Sequence, residues 1–295
     1  MNKVACVIVT FNRVSMLKEC LEAVRQQSVK CFDVFVVNNG SSDGTCEWLS
    51  QQKDLFVINQ ENLGGAGGFY TGMKKAYDDG YEWVWMMDDD GIADENQLEN
   101  LLAGAKKCHS QFVNSLVIDK ENGNRLSFGL IYNGKGITEV ECAKKYNFIL
   151  NTINPFNGTL IHRSVIEKIG LIKKEMFIWG DEMEYTYRAI QAGFNLYTIT
   201  SAIHLHPTSR QNYGNIIPFV KQRFKVLLAD TEIKSKIMYR NNGYIFRTYN
   251  TRFQALRFQL KYFLYYILRF DFNGVRLFYK YFNKGMCNDY TESIM

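Results

Sequence analysis

Trp85-Met86-Met87-Asp88-Asp89-Asp90 is an apolar run that ends abruptly in three carboxylates. A strand leaving the core into clustered aspartates is how an α/β protein offers oxygen ligands to a divalent cation at the edge of its sheet. Hard cations such as Mg²⁺ or Mn²⁺ prefer carboxylate oxygen and commonly accompany a phosphorylated substrate. On an extended chain Asp88 and Asp90 point the same way. The triplet alone also reads as a solvated acidic loop, so the flanking sequence decides between the two.

Upstream, the apolar runs at 4–10, 33–38, 55–59 and 82–87 read as buried parallel strands. Helical patterns lie between them. Met16, Leu17, Cys20, Leu21 and Val24 recur at helical spacing, with Ser15 as N-cap. A second helix begins near Ser42-Asp43-Gly44-Thr45, and a third covers about 66–77. This βαβαβαβ series predicts a doubly wound sheet that binds ligands at the carboxyl ends of its strands. Thr10-Phe11-Asn12, Asn38-Asn39-Gly40-Ser41 and the aspartate triplet all fall at such ends and are expected to converge. Residues 105–160 are more β-like and irregular, with turns at Asn122-Gly123-Asn124 and Asn133-Gly134. A helix is predicted from Trp179-Gly180-Asp181-Glu182-Met183-Glu184 to Gly193, and a strand over 195–203.

Composition is that of an ordinary folded protein of 295 residues, 46% hydrophobic and 22% charged. Seven cysteines, an odd number without CxxC spacing, argue against a disulfide framework or zinc site and fit a reducing cytosol. The opening residues do not resemble a signal peptide, and no charge-free run approaches the length of a membrane span. The net charge of +5 is unevenly divided. Residues 1–210 hold 21 Lys+Arg against 25 Asp+Glu, a net of −4, whereas 211–295 hold 14 against 5, a net of +9. The two parts are expected to face different partners, and a boundary is placed between 210 and 211.

Three further segments carry chemistry. Gly64-Gly65-Ala66-Gly67-Gly68 follows a strand and enters a helix, where glycines admit close backbone approach and the helix N-terminus favours anions. It lacks the Gly-Lys-Ser/Thr of a phosphate loop; a plain flexible loop is the alternative. Asp181, beside Trp179 at a helix start, is a candidate general base, with Glu182 and Glu184 close by. Acids are also common at helix starts for structural reasons. His204 and His206 lie near a strand end; the strand is expected to send them to opposite faces, so that one rather than both ligates a metal. A histidine added to aspartates suits Mn²⁺.

Taken in order, Val7-Ile8-Val9-Thr10-Phe11-Asn12-Arg13, Val36-Val37-Asn38-Asn39-Gly40-Ser41-Ser42-Asp43-Gly44-Thr45 and the aspartate triplet resemble the family 2 inverting glycosyltransferases. Asn62 to Phe69 and Trp179-Gly180-Asp181-Glu182 are most similar to the galactofuranosyltransferases within it. The resemblance covers roughly 3–210. It implies a GT-A type fold, a mainly parallel Rossmann-like sheet flanked by helices. It also implies a nucleotide held by Thr10, Phe11, Asn12, Arg13 and Asn39, although many relatives have aspartate at the last position. Asp88 and Asp90 would match the Asp-x-Asp motif that binds Mn²⁺ or Mg²⁺ on the diphosphate, with Asp89 beside the donor. His204 would be the third metal ligand, with His206 as its alternative. Asp181 would be the base that deprotonates the acceptor, Trp179 and Glu182 would contact substrate, and Gly64 to Gly68 would lie beside the donor sugar.

The tail beyond 211 is basic and aromatic and is predicted to be helical. On a single helix over 244–270, Arg247, Arg257, Lys261 and Arg269 share one arc, Arg252 stands apart, and an aromatic face lies opposite. Such a helix suits an anionic membrane surface, or packing on the catalytic part or a second subunit. The function expected is a metal-dependent galactofuranosyl transfer from a UDP-sugar to a glycan or polyprenyl-diphosphate-linked acceptor, at the cytoplasmic face of the membrane. A dTDP-rhamnose-dependent transferase is the alternative, and a sugar nucleotidyltransferase a more distant one. Nucleic acid is not expected as a partner, because the tail's aromatics follow helical spacing and the acidic part repels phosphates.

Overall fold

The computed structural model describes residues 3–30, 32–208, 212–217 and 225–292. The chain forms two compact units, Met1–Lys174 with Tyr185–Ser209, and Glu175–Glu184 with Arg210–Met295. A single cut at 210/211 therefore leaves out one segment, because residues 175–184 group with the C-terminal part.

The first unit is built on one sheet. Its elements are β1 (Val4–Thr10), α1 (Val14–Arg25), β2 (Phe32–Asn38), α2 (Thr45–Leu49), β3 (Leu55–Asn59), α3 (Gly64–Asp78), β4 (Trp83–Asp88) and β5 (Ile92–Ala93). They continue with α4 (Gln97–Lys107), β6 (Phe112–Asp119), β7 (Arg125–Tyr132), β8 (Lys135–Glu139), α5 (Val140–Ala143), β9 (Phe148–Leu150), β10 (Thr159–His162) and α6 (Arg163–Ile169). Helix α7 (Asp181–Gln191), which enters this unit at Tyr185, and strand β11 (Leu196–His206) follow. The main path of the sheet runs β3-β2-β1-β4-β10-β6-β11-β5. β1, β2, β3 and β4 are parallel, as their unbroken apolar runs predict. Beyond β4 the sheet is mixed: β10 is antiparallel to both its neighbours, while β6 and β11 run parallel.

Every residue of β1 is buried, because helices cover both faces of the sheet's centre. Parallel register sets Thr10 opposite Asn38 and Val9 opposite Asp88, so the polar residues ending β1, β2 and β4 emerge at one edge. Helix α1 starts at Val14 with Arg13 at the cap position, not with Ser15. The Asp43 side chain accepts the Val14 N–H at 3.0 Å, so a distant carboxylate satisfies a donor that a local cap would have served.

The glycines of α3 are explained by packing. A Cβ on Gly68 would lie 2.4 Å from Val9 Cγ1, and one on Gly72 would lie 2.3 Å from Val7 Cγ1. Ala66, Gly67 and Gly68 are buried, and α3 is seated on β1 at a distance that only glycine permits. Gly65, by contrast, has open space at its Cβ position. Gly68 is thus accounted for by helix–strand contact, and a Cβ on Gly67 would fall 2.4 Å from Leu63 Cβ at the helix start.

The second unit contains an antiparallel pair, β12 (Asn212–Asn215) with β13 (Lys225–Leu228). Three helices follow: α8 (Glu232–Tyr249), α9 (Arg252–Ile267) and α10 (Phe272–Met286). An aromatic core of Tyr239, Tyr262, Phe278, Tyr281 and Phe282 holds them together. The single helix expected over 244–270 is two. Asn250 is the C-cap of the first, and Thr251 caps the second, accepting from Gln254 N at 3.2 Å while Gln254 Oε1 accepts from Thr251 N at 2.8 Å, a capping box. The arc of cations does not survive the break. Arg247 donates to the Met286 carbonyl, and Arg269 donates to the carbonyls of Asn215, Ile216 and Tyr265.

The α3 seat yields a contrast between two glycines. Gly72→Val should lower stability by about 1–3 kcal/mol through overpacking against Val7. Gly65→Ala should leave it unchanged or raise it by up to about 1 kcal/mol. Urea denaturation of the two variants measures both.

Candidate active site

The carboxyl edge of the parallel strands gathers the polar groups expected there. Asp88 ends β4, and Asp89 and Asp90 form a turn closed by Gly91 N donating to Asp88 O at 3.4 Å. The triplet therefore does not continue as an extended strand; the turn separates its three side chains by role. Asp89 points inward and is nearly buried, its Oδ2 accepting from Thr10 Oγ1 at 2.7 Å and its Oδ1 from Arg13 Nη1 at 3.2 Å. Burial raises its pKa, and the Thr10 and Arg13 contacts oppose that rise without cancelling it. Asp90 Oδ2 accepts from Arg13 Nη1 at 2.8 Å.

Asp88, Asp90 and His206 each offer a ligand atom, and these atoms lie within 4.8 Å of one another. His206 ends β11, where its backbone carbonyl is fixed by Lys120 N at 3.1 Å and Ser127 Oγ at 2.7 Å. Its Nδ1 lies 2.6 Å from the Pro207 carbonyl, which can only accept, so Nδ1 carries the proton and Nε2 faces the aspartates. A histidine whose second nitrogen donates to a backbone carbonyl is oriented as metal-ligating histidines usually are. Nε2 stands 3.2 Å from Asp90 Oδ1. Burial works against protonation of His206, but the Asp90 and Asp88 charges outweigh it and raise its pKa. Burial likewise pushes Asp90 up, and His206 with Arg13 more than reverses it, holding Asp90 below the usual carboxylate range. Two carboxylates and one imidazole nitrogen converging from a strand end, a turn and a second strand are a donor set that fits Mn²⁺ or Mg²⁺.

His204 is placed differently. Residues two apart on a strand share a face, so the expectation that the two histidines part to opposite faces fails on strand geometry itself. Both are buried, and position along the strand separates them. The His204 ring lies against Gly91, where a Cβ would fall 2.1 Å from Nε2. Neither ring nitrogen has a hydrogen-bond partner among the described residues. Burial, aided by the neighbouring His206, pushes its pKa down to about 3, so the ring is neutral. The preference for His204 over His206 is thus reversed: His206 lies with the aspartates, and His204 packs under the turn.

The turn at 10–13 is knitted to the turn after β2. Asn12 adopts a left-handed φ of 54°, donates its N–H to Ser41 Oγ at 2.9 Å and accepts from Ser42 N at 2.7 Å. Phe11 stands beside it with 41% of its surface exposed. Asn39 has almost no exposed surface. Its Oδ1 accepts from Gln60 Nε2 at 2.8 Å and Leu63 N at 3.2 Å, and its Nδ2 donates to the Gly64 carbonyl at 2.8 Å. Both ends of the amide hold the approach to and start of α3, so Asn39 acts as a positioning residue there.

In the second unit, Trp179, Asp181, Glu182 and Glu184 lie on a turn and the first coil of α7. Phe177 and Trp179 have φ of 66° and 60°, unusual for residues with side chains, and Gly180 has φ of 110°. Asp181 is buried, and Trp179 is 38% exposed. Glu182 Oε2 accepts from Gly180 N at 3.0 Å, closing the helix start, which is a structural use of a side chain expected at the substrate. Glu184 is buried, and its Oε1 accepts from Tyr249 OH at 2.7 Å. Asn241 holds the turn. Its amide Nδ2 donates to the carbonyls of Met176, Ile178 and Trp179 at 2.8, 2.9 and 2.9 Å, two hydrogens shared among three acceptors. Sequence reasoning passed over Asn241 and Tyr249, more than fifty residues from the segment they hold. A polar Asn241-Asn242-Gly243 inside an apolar helical pattern was the available signal.

The fold is a mixed α/β sheet flanked by helices, and the family follows from comparison: residues 5–170 match the model of glycosyl transferase family 2, and the chain belongs to that family. It is 30% identical to galactofuranosyltransferase GlfT1 of Mycolicibacterium smegmatis over 251 residues, covering 82% of each chain. Identity to GlfT1 of Mycobacterium tuberculosis is 32% over 251 residues, covering 82% of this chain and 81% of the relative. The fold is similar to that of S. aureus TarS 1–349 solved in complex with UDP-GlcNAc. The TM-score is 0.54 at 14% identity, covering 98% of this chain and 93% of that one.

Asn241→Asp keeps the side chain's shape and removes its donor, leaving three carbonyls facing a carboxylate. A stability loss of at least about 1–3 kcal/mol is expected, with faster amide exchange in 176–184, measured by thermal unfolding and hydrogen exchange.

Proposed function

We propose that this glycosyltransferase moves galactofuranose from UDP-galactofuranose onto a glycan or polyprenyl-diphosphate-linked acceptor, with inversion at the anomeric carbon, in the synthesis of a bacterial surface polysaccharide. The observation that carries the metal-dependent part is the convergence of Asp88, Asp90 and His206 at the carboxyl edge of the sheet. Identity of 30–32% over most of the chain to two galactofuranosyltransferases supports the choice of sugar. We place the reaction in the cytoplasm, at the inner face of the cell membrane, where a lipid-linked acceptor would be met.

Oxygens of Asp88 and Asp90 and Nε2 of His206 would hold Mn²⁺ or Mg²⁺. When bound, the ion supplies a Lewis acid that offsets the charge gathering on the departing diphosphate. The chain's own residues do the rest. Asp89 and Arg13 fix the aspartate turn, and the exposed ring of Phe11 offers an apolar face to the base. Asp181 accepts the proton of the acceptor hydroxyl as that oxygen forms its bond to the anomeric carbon. The bond from that carbon to the diphosphate oxygen breaks, and UDP leaves with the electron pair. One displacement needs one base and no enzyme nucleophile, which accounts for the inversion.

Asp181→Asn should abolish transfer to acceptor while UDP affinity in Mn²⁺ stays within about twofold; loss of UDP affinity would reassign the residue. Asp90→Ala should weaken Mn²⁺-dependent UDP binding by roughly tenfold or more. Thermal-shift titration with UDP, UDP-galactofuranose, dTDP and dTDP-rhamnose, each with Mn²⁺ or EDTA, tests the donor. A UDP-selective, Mn²⁺-dependent shift strengthened by the furanose supports the reading, and a dTDP-selective shift replaces it with rhamnosyl transfer.

A further inference from the structure

Helix α8 turns one face to the segment that carries Asp181, and both lie in the second unit. Asn241, Ile245 and Tyr249 follow one another at steps of four and form a single stripe, with Lys234 two turns earlier on the same line. Each of them meets residues 175–184. Asn241 Nδ2 donates to the carbonyls of Met176, Ile178 and Trp179. A Cβ on Gly180 would fall 3.1 Å from Ile245 Cδ1 and 3.4 Å from Asn241 Cβ, so the backbone there lies close against the stripe. Lys234 Nζ stands 5.6 Å from the centroid of the Trp179 ring. At the far end, Tyr249 OH donates to Glu184 Oε1 at 2.7 Å.

Placing Asp181 means placing the first turn of α7. Glu182 Oε2 accepts from Gly180 N at 3.0 Å, and Glu184 N donates to Gly180 O at 2.8 Å. These bonds close the turn on itself but do not aim it. The aim comes from α8. Asn241 grips the chain just before the turn, and Tyr249 grips Glu184, three residues past Asp181 and its neighbour on the helix surface. Glu184 is buried, where a carboxyl group needs donors, and the Tyr249 hydroxyl supplies one. Asp181 thus stands between two anchors on one helix. A general base gains from such bracing, because it must stay within hydrogen-bond reach of the proton it takes. Misplacement by about 1 Å can cost roughly a hundredfold in rate.

We propose that Tyr249 is a positioning residue for glycosyl transfer, acting through Glu184 to hold Asp181 where the acceptor hydroxyl is deprotonated, with Asn241 bracing the other side of the turn. The inference rests on the reading of Asp181 as the base. It extends the working parts of the enzyme into the region beyond 211, whose basic and aromatic composition gives no sign of a part in the chemistry.

The test uses the full chain. Turnover is followed as UDP released from UDP-galactofuranose in Mn²⁺, with octyl β-galactofuranoside or water as acceptor. Tyr249→Phe removes one hydroxyl from a half-buried ring. It should lower kcat by about tenfold or more, while the KM for UDP-galactofuranose and the affinity for UDP stay within about twofold. Glu184→Ala breaks the same bond from its other end and should show the same split. Adding Tyr249→Phe to it should lower kcat by less than about twofold more, since the bond is already gone. Thermal unfolding checks that each variant is folded. A kcat for Tyr249→Phe within about twofold of the unaltered protein, or losses that multiply in the double variant, would overturn the proposal and leave the base reading standing. So would a loss confined to KM, or failure of both single variants to fold, which would assign the bond to stability alone. Asp181→Asn in the same assay separates the two claims. If it keeps transfer, or if the unaltered protein releases no UDP, the base reading falls and this inference falls with it.

Discussion

Asp89 is buried where β1 and β4 end, and the arrangement of the candidate metal site follows from how that charge is satisfied. A carboxylate removed from water must find donors, and it finds Thr10 on the neighbouring strand and Arg13 on the turn beyond. These bonds turn the middle aspartate of the triplet inward, which lets the outer two serve a common point with His206. Arg13 also donates to Asp90, so one guanidinium bridges two acids that would otherwise repel. Three adjacent carboxylates are thus sorted in two ways: one locks strand ends together, and two are directed with His206 toward a common point.

Behind this edge, the sheet and α3 are held at a fixed close distance. Gly68 and Gly72 let the helix rest directly on Val9 and Val7, and Asn39 ties the helix start to the end of β2. The glycine-rich stretch looks like a ligand loop in sequence because close approach to a ligand and close approach to a strand demand the same residue. The second unit uses a comparable device in a different form. There the amide of Asn241 fixes three carbonyls of a turn whose φ angles L-residues seldom adopt, immediately before Asp181.

The parallel half of the sheet was readable because β1, β2 and β4 are largely buried on both faces, so that burial writes itself into the sequence as unbroken apolar runs. The hairpin turn at Asn133-Gly134, with φ of 50° and 74°, was equally plain. The break between α8 and α9 was missed although Thr251-Arg252-Phe253-Gln254 is a capping-box pattern, because helical periodicity was followed across it. Strand alternation was misapplied to His204 and His206, which share a face. The partners of Asn39 and Asn241 were not legible: each depends on donors or acceptors brought near by folding, and the polar step at Asn241-Asn242-Gly243 marks a position without naming what it holds.

The central claim is that His206, with Asp88 and Asp90, binds a divalent cation. Pulsed electron paramagnetic resonance of Mn²⁺ bound together with UDP tests it most directly, because a coordinated imidazole nitrogen modulates the spin echo. The account predicts a nitrogen coupling that disappears in His206→Gln and persists in His204→Gln. A coupling lost in His204→Gln instead, or no nitrogen coupling in the unaltered protein, would contradict it.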